Sequence, residues 1–164
     1  MPDLSEMARG AADALFASGA TVAVSESSSG GLVAAALLSI PNASRYFQGG
    51  AVVYTHRSRA GLLGLDETLP AGMRASTEGY AILCAEAARE RLGTTWSVAE
   101  TGAAGPSGNR YGDPAGHSCI AVCGPVPRAA TIETRSANRE ANMWVFARAA
   151  LELLRQCVAE HGGK

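Results

Sequence analysis

Residues 21–39 read TVAVSESSSGGLVAAALLS, and this stretch decides the fold. Its first four residues have the apolar, β-branched composition of a short buried strand. Three serines and two glycines follow, and an alanine- and leucine-rich segment begins at about Gly31. We predict a strand, a tight turn and a helix that ends before Pro41, because proline disfavours helical geometry in the residue ahead of it. Ser27 then lies at the end of the strand.

The same patterns predict the remaining elements, and helices alternate with strands until two strands come in succession. We predict helices at about 3–18, 57–65 and 139–160, and one more helix that follows a cap at Ser76. The further strands lie at about 49–55, 94–101, 117–124 and 129–136. This order favours one domain over 1–164, an α/β fold built as a three-layer α/β/α sandwich around a mixed sheet of about five strands.

Composition excludes several classes of protein. The chain has 164 residues, 47% of them apolar, and a formal net charge of −1, so the basic footprint of a nucleic-acid-binding protein is missing. No apolar run approaches the roughly 18 residues that span a bilayer, and the first ten residues do not resemble a signal peptide. We expect a cytoplasmic protein with no membrane partner. Its four cysteines form no C-x-x-C pair, which favours plain burial over a metal or disulfide role.

Two turns of unusual composition follow predicted strands, where open α/β sheets bind ligands. The first is SESSSGG (25–31), and the second is ETGAAGPSGNRYGDPAG (100–116), which has five glycines and two prolines. Backbone amides of Ser28 to Gly31, including Ser29 and Gly30, have the arrangement that holds an anion. The alternatives are that Ser28 or Ser29 only caps a helix and that the second loop is a flexible surface segment.

Several motifs in register resemble the CinA C-terminal domain family, which includes stand-alone nicotinamide mononucleotide amidohydrolases (PncC). The family's A-E-S-C-T-G-G corresponds to SESSSGG, and its T-Y-S-N-E-A-K to VYTHRSR (53–59). Its S/T-G-I-A-G-P corresponds to TGAAGP (101–106), and its P-V-G-T to PAGH (114–117). Order and spacing agree from about 5 to 158.

The resemblance implies an anticodon-binding-domain-like α/β/α fold with a five-stranded mixed sheet. It also implies hydrolysis of the carboxamide of nicotinamide mononucleotide, without a metal or cofactor, by a homodimer. The family's nucleophile falls on Ser27 and its helper tyrosine on Tyr54. Residues of the matching motifs are expected to bind the nucleotide substrate: Ser28, Ser29, Gly30, Gly31, Thr101, Gly102, Gly105 and Arg139, which matches an arginine in the family's G-D-R segment.

One position departs from the family's pattern. The lysine that closes T-Y-S-N-E-A-K is Arg59 here, and the only lysine of the chain is Lys164. A serine hydroxyl needs an adjacent base, and arginine keeps its proton, so the serine–lysine pair is absent.

Three replacements for this base are open. His56 would share a strand face with Tyr54, Tyr54 itself would act if Arg59 lowered its pKa, and Glu26 and Glu100 are carboxylates at strand ends. For Glu100 a salt bridge with an arginine is the simpler expectation. His117 and Asp113, which could neutralise Arg110, are expected to support the loop, with contact to a ligand as the alternative.

The sequence thus leaves three hypotheses about function. The first is a family-type amidohydrolase that uses Ser27. The second is a non-catalytic nucleotide-binding paralogue, in which the Arg59 guanidinium binds phosphate. The third is a hydrolase with a changed substrate.

Overall fold

The computed structural model describes residues 3–161, which form a mixed five-stranded sheet with helices on both faces, as predicted. The helices are α1 (Leu4–Ser18), α2 (Leu32–Leu38), α3 (His56–Ser58, continued by a π-helical turn over Arg59–Leu63), α4 (Glu78–Leu92) and α5 (Arg139–His161). The strands are β1 (Val22–Glu26), β2 (Phe47–Val52), β3 (Trp96–Ala103), β4 (His117–Cys123) and β5 (Arg128–Glu133).

Strand order fixes the place of the site. The order is β2-β1-β3-β4-β5, with β1 parallel to both of its neighbours and β4 antiparallel to β3 and β5. The carboxyl ends of β1, β2 and β3 therefore meet the amino end of β4 at one edge of the sheet. Successive strands are added on opposite sides of β1, and a crevice opens beyond the strand ends at such a switch point.

The two faces of the sheet differ in residue size. The face toward α1, α2 and α5 carries the larger side chains, among them Val22, Val24, Trp96, Val98, Ile120 and Val122. The face toward α4 carries Ala23, Ala99, Cys119, Ala121 and Cys123, and α4 meets it with Ala81, Cys84, Ala85 and Ala88. Small residues on both sides of this second contact let α4 lie close to the strands that carry the site.

The structure differs from the prediction at the end of β2 and at the start of α4. The strand predicted over 49–55 ends at Val52, because the Thr55 hydroxyl accepts a hydrogen bond from the Ser58 amide (3.1 Å) and starts α3. The predicted cap at Ser76 is wrong: Thr77 caps α4 by accepting from the Tyr80 amide (3.3 Å). Ser76 instead has a left-handed backbone (φ +60°).

The interior holds the cysteines. Cys84, Cys119, Cys123 and Cys157 are buried and unbonded to one another. Between residues 3 and 161, no helix combines the length and the apolar character needed to cross a bilayer.

Gly124 offers a test of the packing around Trp96. A Cβ atom added at Gly124 would lie 2.8 Å from Cδ2 of the Trp96 indole, which is itself almost fully buried. We expect Gly124→Ala to lower the free energy of unfolding by about 1–3 kcal/mol in a denaturant titration, as overpacking does.

The control for this variant is Gly79→Ala, on an exposed part of α4 with open space around the new methyl group. It should leave the stability unchanged or raise it by up to about 1 kcal/mol. Equal stability of Gly124→Ala and the wild-type chain would contradict the packing described for Trp96.

Candidate active site

The loops after β1 and β3 meet over a cavity of about 380 Å³. Its lining includes Ser27, Tyr54, His56, Arg59, Ser76, Thr101, Gly102, Asn109, Arg110 and Tyr111. A second cavity of about 280 Å³ shares Tyr54, Gly102 and Asn109 with the first and adds Ser28, Gly105 and Arg139, among others. Most of the residues that the sequence singled out therefore face one continuous depression.

Three of the predicted binding residues build the turn and do not line either cavity. The Ser29 side chain is fully buried. Gly30 and Gly31 have left-handed backbones (φ +66° and +99°), and a Cβ at Gly30 would collide with Met143. These glycines are needed for the turn geometry.

The Ser27 hydroxyl is free. It makes no hydrogen bond to any residue within 3–161, and the half-buried residue is held only through its backbone, whose N–H donates to Oε2 of Glu100 (3.2 Å). The hydroxyl is thus available to a ligand in the cavity.

The expected anion site at the start of α2 is occupied by the protein itself. Oε1 of Glu26 accepts from the Val33 amide (2.8 Å) and Oε2 from the Ala34 amide (3.1 Å). The Ser29 amide donates to Glu100 (2.8 Å), and the Gly30 amide donates to the Ser27 carbonyl (3.1 Å). Of the amides from Ser28 to Gly30, only that of Ser28 lacks a partner among the described residues.

Glu100 does not form the expected salt bridge. Its Oε1 accepts from the Ser118 hydroxyl (2.9 Å), and its Oε2 accepts from the Ser27 amide, the Ser29 amide and the Ser29 hydroxyl. Burial raises the pKa of this carboxyl, and these donors oppose the shift only in part.

Ser29 links the two buried carboxyl groups. Its Oγ lies 2.8 Å from Oε1 of Glu26 and 2.9 Å from Oε2 of Glu100. A hydroxyl has one proton to donate, so both contacts are hydrogen bonds only if one carboxyl is protonated and donates to Oγ. Burial also raises the pKa of Glu26, which agrees with a shared proton in this pair.

Arg59 is buried and anchored. Its Nε donates to the Asp66 carbonyl (3.1 Å), its Nη2 donates to the Glu67 carbonyl, and its guanidinium lies 5.8 Å from the centroid of the Tyr80 ring. Because Nε and Nη2 are already bonded, Arg59 does not offer that edge to a phosphate. An arginine also keeps its proton, so Arg59 does not act as the base.

Tyr54 contacts a different arginine from the one proposed to activate it. Its hydroxyl accepts from Nη2 of Arg139 (3.1 Å), whose Nη1 donates to the Gly105 carbonyl (2.5 Å). Tyr54 is 61% exposed, so the pair stands at the surface of the depression. The suggestion that Arg59 activates Tyr54 finds no contact in its favour.

His56 lies at the first position of α3, not on the predicted strand face. Its Nε2 is 3.0 Å from Nη2 of Arg110, which also donates to the Tyr111 hydroxyl (2.9 Å). A guanidinium has only donors, so Nε2 accepts and the imidazole carries its proton on Nδ1. His56 is therefore neutral in this arrangement, as a general base must be.

The charges of the second loop pair differently from the expectation. Asp113 binds Arg74 (2.6 and 3.0 Å) and not Arg110, and the Arg74 guanidinium holds the pKa of Asp113 below its usual range. Sequence reasoning missed Arg74 and Tyr111. Arg74 lies outside both loops and joins the site only through the fold, and Tyr111 lies within the second loop but belongs to none of the motifs.

His117 is a buried residue of β4 and holds Ser76 in place. Its Nδ1 meets Oε1 of Glu133 (2.5 Å) and its Nε2 meets the Ser76 carbonyl (2.9 Å), so both nitrogens face acceptors. Burial alone would lower the pKa of His117, but Glu133, Ser76 and Asp113 together outweigh it and raise the pKa.

Over residues 3–161, no three side chains of the types His, Cys, Asp or Glu come together as a metal site.

Comparison with known proteins identifies the family. The model of the CinA C-terminal domain matches residues 4–158. The chain belongs to this family. It is 38% identical over 157 residues to a CinA-like protein of Gloeobacter violaceus and 36% identical over 151 residues to one of Salinibacter ruber. These alignments cover 94% and 90% of this chain but 37% and 36% of the relatives, so the chain spans about a third of their length.

Solved structures agree with the fold. The competence/damage-inducible protein CihA of Agrobacterium tumefaciens is similar with a TM-score of 0.86 at 28% identity, over 96% of each chain. A CinA superfamily protein of Klebsiella pneumoniae gives 0.88 at 25% identity, over 97% of this chain and 99% of that one.

The raised pKa of Glu100 predicts how variants at this position depend on pH. A raised carboxyl pKa contributes stability below the unfolded value near 4.5, and this contribution is lost as pH rises through the folded pKa. Glu100→Gln keeps an acceptor for the amides and cannot ionise. Its free energy of unfolding should therefore increase relative to that of the wild-type chain as pH rises from 5 to 9. A difference that does not change with pH would contradict the raised pKa of Glu100.

Glu100→Ala is the control for the hydrogen bonds themselves. It leaves the Ser27 and Ser29 amides without an acceptor, and we expect it to be less stable than Glu100→Gln by about 1–3 kcal/mol for each amide at every pH, because neither variant can ionise at this position. Chemical denaturation at matched pH values measures both variants.

His117 predicts a second pH dependence. Its raised pKa contributes stability that is fully present below the unfolded value near 6.5 and is lost as pH rises through the folded pKa. The stability difference between wild type and His117→Gln should therefore be largest below about pH 6.5 and shrink above it. A difference that grows with pH in urea titrations would mean that His117 is neutral in the fold.

Proposed function

We propose that this chain is an amidohydrolase that converts the carboxamide of nicotinamide mononucleotide, or of a related nucleotide, to the acid and ammonia. The observation that supports it most directly is the contrast between two neighbouring serines. Ser29 is locked between two carboxyl groups, whereas the Ser27 hydroxyl is free and lies in the same cavity as a neutral imidazole. The family resemblance supports the reaction class.

The proposed reaction uses Ser27 as the nucleophile and His56 as the base. Ser27 Oγ bonds to the carboxamide carbon while its proton passes to Nε2 of His56. The C–N bond then breaks, nitrogen takes that proton, and ammonia leaves an acyl-serine. Water, deprotonated by the same imidazole, forms the acid and restores the serine.

Two donors suit the developing oxyanion. The Ser28 amide follows the nucleophile directly, which is a common position for such a donor, and it has no partner among the described residues. The Tyr54 hydroxyl accepts from Arg139 and keeps its own proton to donate. The cavity volume of about 380 Å³ falls within the range of small-molecule sites, roughly 300–1,000 Å³.

A second candidate function is a non-catalytic nucleotide-binding protein. The observation that favours it is Arg59, which stands where the family's base stands and is fixed by two carbonyl groups. Such a protein would bind the nucleotide and release no ammonia.

We also propose a cytoplasmic homodimer, as composition and the resemblance imply. Four buried, unpaired thiols suit a reducing compartment. Light scattering during gel filtration measures the mass, and a monomer at all concentrations would reject the dimer.

Ammonia release from nicotinamide mononucleotide tests the reaction. Ser27→Ala should lower kcat at least about a thousandfold, since it removes the nucleophile. His56→Gln should lower kcat by about 100- to 10,000-fold, the range for a general base. Ser44→Ala, at an exposed position away from the cavities, is the matched control and should retain full activity.

Arg59→Lys separates the two candidate functions. Turnover by the wild-type chain that His56→Gln removes supports the amidohydrolase. No turnover by wild type, but tight binding in calorimetry and turnover by Arg59→Lys, would support the binding protein. Absence of both binding and turnover would reject this substrate and leave a hydrolase with a changed one.

A further inference from the structure

Arg110 donates a hydrogen bond to Nε2 of His56, the atom that must accept a proton in the proposed reaction. Its Nη2 lies 3.0 Å from Nε2 of His56, and the imidazole already carries a proton on Nδ1. The lone pair on Nε2, the only one with which His56 can accept a proton, therefore already accepts the hydrogen bond from Arg110. As long as this hydrogen bond holds, His56 does not accept a proton from Ser27.

Arg110 has no acidic partner among the described residues. Asp113, a carboxylate of the same loop, is held by Arg74 (2.6 and 3.0 Å) and by Asn109 (2.7 Å). The guanidinium is exposed and has a neutral imidazole and a phenol as its acceptors. An anion would therefore compete well for it, because charge-assisted hydrogen bonds are about twice as strong as neutral ones.

A second guanidinium contacts the same aromatic ring as Arg110. The Arg110 and Arg74 guanidinium carbons lie 5.0 and 5.1 Å from the centroid of the Tyr111 ring. Asp113 compensates only one of these two positive charges. The rim of the cavity thus has an uncompensated positive charge on a planar fork, the geometry that binds phosphate bidentately.

We propose that Arg110 is a phosphate-operated latch: the phosphate of a nucleotide substrate draws the Arg110 guanidinium away from His56 and so frees Nε2 to act as the base. This inference rests on the proposed function. It defines the substrate class as phosphorylated, because a nucleoside or a free amide leaves the latch closed. Arg110 is then a residue that determines specificity through His56.

A binding experiment tests the latch without turnover. Inorganic phosphate is titrated into the protein with ¹⁵N-labelled histidine, at an ionic strength held constant with chloride, and the imidazole resonances are followed by NMR. The chain has three histidines, and His56→Gln assigns the signal of His56. The His56 Nε2 resonance should shift with phosphate in wild type and in Arg57→Gln, which removes an equal charge next to His56. In Arg110→Gln it should not respond.

An activity experiment tests the consequence for specificity. In wild type, nicotinamide mononucleotide should be hydrolysed with a higher kcat than its nucleoside, nicotinamide riboside. Arg110→Gln should raise kcat for the riboside about tenfold, since it removes one hydrogen bond from a charged donor to Nε2, and should lower kcat/KM for the nucleotide. A residue that only bound phosphate would change the KM for the nucleotide and leave the riboside unaffected.

The two experiments fail in distinguishable ways. No response of His56 to phosphate in wild type, or an equal response in Arg110→Gln, would overturn the latch even if the chain is an amidohydrolase. An unchanged riboside kcat in Arg110→Gln would overturn it as well. A chain that hydrolyses neither compound would reject the proposed function, and with it the catalytic purpose of the latch, whereas the NMR response would still decide whether phosphate displaces Arg110 from His56.

Discussion

Two carboxyl groups that share one serine hydroxyl determine the geometry of the whole site. Glu26 ends β1, Glu100 lies in β3, and Ser29 Oγ joins them in a place that is almost inaccessible to solvent. Isolated buried charges are very costly, and buried carboxyl groups reduce that cost by accepting hydrogen bonds or by keeping a proton. Here the donors are two amides and a hydroxyl of the serine turn, two amides of the first turn of α2 and the Ser118 hydroxyl. Because the buried carboxyl groups of Glu26 and Glu100 require these donors, their hydrogen bonds fix the conformation of the turn that carries Ser27.

This arrangement moves anion recognition away from the backbone. A glycine-rich turn before a helix commonly binds phosphate through its amides. In this chain Glu26 and Glu100 already occupy most of those amides. Positive charge near the cavities comes from arginines on α3, α5 and the loops, none of which can exchange a proton near neutral pH. In the proposed reaction, proton transfer and anion binding are thus assigned to different residues, His56 and Arg110, which are joined by a hydrogen bond.

Local patterns were sufficient to predict most of the fold and the position of the cavity between the two loops. Strand, turn and helix follow from residues 21–39, and the rule that ligands bind beyond strand carboxyl ends selects both loops. The choice of partner for each charged residue could not be predicted in the same way. Asp113 pairs with Arg74, 39 positions away, and not with Arg110, three positions away, because α4 brings its leading segment to the loop. The Thr55 cap ends β2 early, so the expected shared face of Tyr54 and His56 does not form.

The replacement of a lysine by Arg59 changes the task of that position as well as its proton chemistry. A lysine ammonium is a compact charge whose proton can be removed when burial lowers its pKa. The arginine fork instead spans two successive carbonyl groups, those of Asp66 and Glu67, and fixes the segment that follows α3 against Tyr80. A buried group that supplies these donors must stay charged to do so, which is the opposite of what a base requires. A serine hydrolase with arginine at this position must therefore use another residue as its base. The only imidazole in the described cavity lining is that of His56, and its Nε2 accepts a hydrogen bond from Arg110.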